Sequence, residues 1–148
     1  TPGAEDQPAL SAAGVRIGVT VCYEDAYGAE QLAVLREAEL LVNVTNNAWF
    51  GDSTAPHQQM QMARFRALEA GRYLVRATSN GITAIIGPDG AVVSRAAQFV
   101  PEVLLGEVRP FTGLTPYART GNGPVLLLAG LLVLLPVVAG LAARRRRR

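Results

Sequence analysis

Val15-Arg-Ile-Gly-Val-Thr-Val21 alternates apolar and other residues, the period of a half-buried strand. Leu32, Leu35 and Ala38 then recur at three-residue spacing, which predicts a helix over 28–39. Leu40-Leu-Val-Asn-Val44 predicts a second, largely buried strand, parallel to the first because a helix connects them. Thr45 to Pro56 is a polar loop. His57 to Ala70 predicts a longer helix with Met60, Ala63, Ala67 and Ala70 on its apolar stripe, Phe65 and Leu68 alongside, and Gly71 as its C-cap. Further strands are expected at Tyr73–Ala77, Thr83–Ile86, Ala91–Ser94 and Val103–Val108, broken by turns at Asn80-Gly81 and Pro88-Asp-Gly90. Residues 1–14, rich in Pro, Gly and Ala, read as a loop or a truncated edge. This order predicts an α/β fold: a mixed sheet covered by helices, with one sheet face left to pack against something outside this sequence.

The pattern changes at Pro124. From there to Ala143 no side chain is charged, and a helix of that length covers roughly 30 Å, the thickness of a bilayer's hydrocarbon core. Pro124 suits the first helical turn, and Pro136 is an interruption that membrane helices tolerate. A transmembrane helix is therefore expected over 122–143. The five arginines at 144–148 are expected to hold its end on the cytoplasmic side, which puts residues 1–123 on the opposite face, in a bacterium outside the plasma membrane.

Charge supports this division. The formal charge of the 148-residue chain is +2, but residues 1–143 hold nine Arg against twelve Asp and Glu. All the excess positive charge sits in the tail, so a basic nucleic-acid-binding face is not expected. The single cysteine, Cys22, excludes an internal disulfide, and the sequence contains no lysine.

Cys22 directly follows the first strand, where ligands of α/β sheets gather. It reads either as a nucleophile or as a small buried apolar residue. A nucleophile there needs a cationic or hydrogen-bonding partner and a base, because Glu24 and Asp25 beside it disfavour a thiolate. The one histidine, His57, starts a helix, and no motif connects it to Cys22. Asn46, Asn47, Trp49, Phe50 and Gly51 cluster after the second strand. They either satisfy loop backbone groups or form the rim of a pocket, with Trp49 and Phe50 as an apolar wall for a lipid chain. No metal-ligand spacing is present.

Five blocks in order carry a family resemblance: Val19-Thr-Val-Cys-Tyr-Glu24, Asn43-Val-Thr-Asn-Asn-Ala-Trp-Phe-Gly51, Gln61-Met-Ala-Arg-Phe-Arg-Ala-Leu-Glu69, Arg76-Ala-Thr-Ser-Asn-Gly-Ile-Thr83 and Gly113-Leu-Thr-Pro-Tyr-Ala-Arg-Thr-Gly121. Together they resemble bacterial apolipoprotein N-acyltransferases of the nitrilase, or carbon-nitrogen hydrolase, superfamily. That resemblance implies an αββα sandwich, of which 15–121 is the C-terminal part, followed by one transmembrane helix. It also implies transfer of a fatty acyl chain from a phospholipid to the N-terminal amine of a diacylglyceryl-cysteine apolipoprotein, through a cysteine thioester and without a cofactor. By the same resemblance Cys22 is the nucleophile and Glu24 the supporting carboxylate, while Tyr23, Asn46, Trp49 and Phe50 contact substrate.

Two departures matter. The family commonly has Asp where this chain has Asn47, which alters a loop hydrogen bond or charge. The family's general-base Glu and its Lys precede the cysteine, and only 21 residues do so here. The implied partners are therefore a phospholipid, an apolipoprotein, the bilayer and an N-terminal half of the same protein. The chain by itself is expected to be inactive. A membrane-anchored nitrilase-like amidase and a non-catalytic membrane-anchored binding domain are the alternatives.

Overall fold

In the computed structural model residues 7–146 are described, with side chains described to Pro136. Six strands form one sheet in the order β1-β2-β3-β4-β5-β6. The strands are β1 (Leu10–Ala12), β2 (Val15–Val21), β3 (Leu40–Asn46), β4 (Leu74–Ser79), β5 (Ala84–Ile86) and β6 (Val92–Arg95). The helices are α1 (Leu32–Leu35), α2 (Ala55–Ala70), α3 (Pro116–Thr120) and α4 (Gly123–Arg146).

β2, β3 and β4 are parallel, and the other pairings are antiparallel. This is the mixed sheet the pattern predicts. The parallel register aligns residues into rows. Gly18, Leu41, Leu74 and Ile86 lie side by side, and Thr20, Asn43, Arg76 and Ala84 form the next row on the same face. The first row is apolar and packs under the helices with Leu35, Ala38, Met60, Ala63, Ala67 and Ala70. Gly18 fits closely there: a Cβ would lie 3.0 Å from Leu41 Cδ2 and 3.1 Å from Ala38 Cβ, so both neighbours would have to give way. Alanines at 63, 67 and 70 are fully or almost fully buried, so α2 presents its expected stripe. Phe65 and Leu68 stay exposed beside it. The α2 C-cap, Gly71, has the left-handed φ of 61° that glycine tolerates.

Alternate positions point to the opposite face. There Val19, Val21 and Val44 are exposed, so the β2–β3 side of that face has no covering layer among the described residues. Toward β5, Gly106 passes so close to Ile85 that a Cβ would meet its Cδ1.

Three expectations change. The strand expected at Val103–Val108 is not a strand: it crosses near Ile85 instead of pairing, and Pro101 and Pro110 flank it. The helix expected over 28–39 is reduced to Leu32–Leu35. Its flanks close with shorter bonds such as Gln31 N–H to Gly28 O and Arg36 N–H to Ala33 O, and the Gln31 side chain turns inward to donate to Glu24 O at 3.1 Å. The edge expected to be loop contains β1, paired to β2 through Ala13 and Gly14, both at positive φ.

At the other end α4 covers Gly123–Arg146 and so contains most of the spanning segment expected over 122–143, but the side chains from 137 onward and the last two residues of the arginine tail lie outside the described residues. Among the described residues no helix is long and apolar enough to cross a membrane.

Glu39 ties β2 to the start of β3 by accepting a hydrogen bond from Arg16 N–H at 3.0 Å, which holds its carboxyl below the usual range. A depressed carboxyl stabilises the fold above its unfolded value of about 4.3, and this stability is lost as pH falls through the folded value. Urea melts should therefore show Glu39→Gln slightly less stable than wild type at pH 7, with the two converging as pH falls below 4. A constant gap across that range would contradict this role.

Candidate active site

The three parallel strands end side by side, so the segments that follow them share one edge of the sheet. β2 ends at Val21 and turns directly into a 3-10 helix, Cys22–Ala26. Cys22 is half-buried and sits at φ 55°, a left-handed conformation that residues other than glycine rarely hold. Such a turn lifts a side chain out of the sheet's edge. Glu24 clamps it, its carboxylate accepting from Val21 N–H at 2.7 Å. Tyr23 and Tyr27 meet edge to face at 5.8 Å and are both about half exposed. An open cleft of about 510 Å³ flanks this turn, lined by Val19, Val21, Glu24, Gln31 and Val34 among others.

At the end of β3, Asn46 Oδ1 accepts from Ala48 N–H at 3.0 Å and from Ser79 Oγ, joining the ends of β3 and β4. The following turn, Ala48–Phe50, carries Trp49 outward at 86% exposure, with Phe50 less exposed at 43%. Trp49 is thus not a core residue. His57 is exposed on the first turn of α2. Cys22, Tyr23 and Glu24 share one turn, while Asn46 ends the neighbouring strand and Trp49 and Phe50 lie in the turn just after it.

Beneath Cys22 lies a buried polar network that sequence reasoning missed. Arg76 and Asp25 form an ion pair at 2.6 Å, both side chains fully buried. The Arg76 guanidinium also donates to Asn43 Oδ1 at 2.8 Å and to Gln59 Oε1 at 3.0 Å. Gln59 Oε1 accepts a second bond, from Asn47 Nδ2. Asn43 Nδ2 donates to Thr20 Oγ1 at 2.9 Å and to the Cys22 carbonyl at 3.3 Å. Burial pushes the Asp25 carboxyl up, against the pull of Arg76, and pushes Arg76 down, against the pull of Asp25. Arg76 stays cationic, because a guanidinium loses its proton only far above neutrality.

Two signals in the sequence point to this network. Arg76 interrupts the apolar run Tyr73–Ala77, and Gln59 lies four residues before Ala63, on the inner stripe of α2. Asn47, expected as a loop residue, is fully buried, and Gly81 packs so tightly on it that a Cβ would lie 2.5 Å from Asn47 Oδ1.

Chemically, the site offers a thiol on a strained turn, a carboxylate two residues away and exposed aromatics nearby. It offers no lysine. Among the described residues no cluster of His, Cys, Asp and Glu is placed to hold a metal ion.

The thiol stands on such a turn at the end of β2, the first of the three parallel strands, and the profile of the carbon-nitrogen hydrolases matches residues 1–117. The chain belongs to the carbon-nitrogen hydrolase family. Within it the chain is similar to an apolipoprotein N-acyltransferase of Chromobacterium violaceum, 49% identical over 95% of this chain and 27% of that protein. It is equally similar to the apolipoprotein N-acyltransferase of Methylococcus capsulatus, 49% identical over 100% of this chain and 28% of that protein. The chain thus spans little more than a quarter of the length of these curated relatives. Among solved structures, a variant of the amidase from Nesterenkonia sp. AN1 matches with TM-score 0.54 and 27% identity, over 66% of this chain and 40% of that one. That structure shows the acetamide moiety of fluoroacetamide added covalently at its active-site cysteine.

Removing Asp25 leaves a buried guanidinium without its counter-charge. Asp25→Ala should cost about 3–5 kcal/mol of unfolding free energy in a urea titration. A loss below about 1 kcal/mol would show that the pair is a surface-like contact.

Proposed function

We propose that this chain carries the nucleophile of an apolipoprotein N-acyltransferase, with Cys22 as the residue that holds the acyl group. The observation that carries the reading is Cys22 itself: a half-buried thiol in a left-handed turn at the end of β2, within a chain about half identical to two such enzymes. In the first half-reaction the Cys22 thiolate attacks a phospholipid ester carbonyl. The tetrahedral intermediate collapses with cleavage of the C–O bond, the lysophospholipid leaves with a proton, and a thioester remains. In the second, the apolipoprotein's N-terminal amine attacks the thioester carbonyl, the C–S bond breaks, and the amine's proton passes to a base. The product is an amide and a free thiol.

Glu24 supports the turn from the solvent side and is the family's supporting carboxylate by resemblance. Tyr23, Asn46, Trp49 and Phe50 form the substrate-facing rim. The base that activates the thiol and the cation that stabilises the oxyanion are the family's Glu and Lys. We place both in the remaining three quarters of a protein of the relatives' length. The same missing part accounts for the uncovered face bearing Val19, Val21 and Val44, which it would cover as the second sheet layer.

The apolar run Pro124–Ala143 anchors the domain in the plasma membrane, with the arginine tail cytoplasmic and the site outside. Anchoring keeps the thiol near donors that are almost absent from bulk water. The likeness to an amidase favours a second reading, hydrolysis of small amides through the same cysteine.

Assays of the natural protein in membranes, offered phospholipid or a small amide such as butyramide, separate the two. Acyl transfer from phospholipid to a diacylglyceryl peptide is expected, and its loss in Cys22→Ser. Amide hydrolysis with no phospholipid turnover would overturn the proposal. Trp49→Ala should raise KM for phospholipid about tenfold, the scale of one lost aromatic contact, with a smaller change in kcat. An unchanged KM would remove Trp49 from the rim.

A further inference from the structure

The buried row under Cys22 has a direction. Arginine carries only donors, so every group facing Arg76 must accept. Asn43 therefore turns Oδ1 toward the guanidinium, and its Nδ2 necessarily faces the other way, toward Thr20 Oγ1 and the Cys22 carbonyl. Gln59 is oriented by the same rule, which leaves Asn47 as donor to it. The polarity of the whole row thus follows from one cation. At its far end stands a residue other than glycine at φ 55°, a conformation that persists only where surroundings impose it. Two groups impose it here: Glu24 holds Val21 N–H on one side of Cys22, and Asn43 holds the Cys22 carbonyl on the other.

We propose that Arg76 is a positioning residue for the Cys22 nucleophile, acting through Asn43 to hold the Cys22 carbonyl and with it the left-handed turn that aims the thiol. The inference rests on the reading of Cys22 as nucleophile and not on the identity of its acyl donor. Asp25 is the counter-charge that keeps the guanidinium in place. Lysine cannot substitute, because a single ammonium cannot serve Asp25, Asn43 and Gln59 from the fixed directions of a planar fork.

The test uses the natural protein in detergent micelles and two near-isosteric variants, Arg76→Lys and Asn43→Asp. The second keeps an acceptor for Arg76 but removes the donor to the Cys22 carbonyl. Two readouts are followed below each variant's melting temperature: the rate of Cys22 alkylation by iodoacetamide, and kcat and KM for acylation by dioleoyl phosphatidylethanolamine. Positioning predicts that kcat and the alkylation rate fall at least about tenfold while KM stays within about twofold. A merely structural role predicts a lower melting temperature with wild-type kcat per folded molecule, and that result in either variant overturns the proposal. Should the wild type accept no acyl group, the reading of its reaction fails, and alkylation alone decides the positioning role. A measurement on the unmodified protein stands whether or not the variants fold. The Asn43 side-chain amide protons should exchange with solvent far more slowly than those of exposed Asn122; equal rates would overturn the proposal.

Discussion

A guanidinium sealed inside the sheet is the constraint from which the rest follows. Moving such a charge out of water costs several kcal/mol unless opposite charge and hydrogen bonds replace the lost solvent. Arg76 meets most of that demand with Asp25 from the turn after β2, Asn43 from β3 and Gln59 from α2, leaving its Nε without a partner among the described residues. Residues as far apart in sequence as Asp25 and Arg76 become one unit, and the elements carrying them are held in fixed relation. The pair is a poor source of net stability, because a well-packed apolar cluster would do as well. What it supplies is direction: every amide in the row must point one way.

That direction reaches the chemistry. The turn bearing Cys22 is braced by Glu24 from outside and by Asn43 from below, so the thiol stands at the sheet's edge in a conformation the chain alone would not choose. The segment after β3 places Trp49 and Phe50 in the open. On the proposed reading the arrangement is half of a catalytic centre. A thiolate needs a base and an oxyanion needs a cation; the sequence holds no lysine, and the proposal assigns both roles to the rest of a protein of the relatives' length.

Much of this was legible beforehand, for physical reasons. Strand–helix–strand order and the alternation at Val15–Val21 depend on local periodicity, as does the alanine stripe of α2. The Cys22-Tyr23-Glu24 run and the Asn46–Gly51 cluster are contiguous, so their resemblance could be read directly. The network was not, because Asp25, Asn43, Gln59 and Arg76 become neighbours only through the parallel register of β2, β3 and β4. Asp25 looked like a charge hostile to a thiolate; the structure spends that charge on Arg76. The helix expected over 28–39 shrank because Gln31 is drawn inward, and the strand expected at Val103–Val108 found no partner among the described residues. Periodicity reports which side of an element is apolar, not whether a neighbour exists to pair with it.

The proposed chemistry requires the Cys22 sulfur to carry an acyl group. The direct measurement is peptide mass mapping of the natural protein after incubation with isotope-labelled phospholipid. The labelled acyl mass should appear on the peptide containing Cys22 and vanish after hydroxylamine. A labelled protein whose adduct lies elsewhere, or a Cys22 peptide that remains unmodified while transfer proceeds, would contradict it.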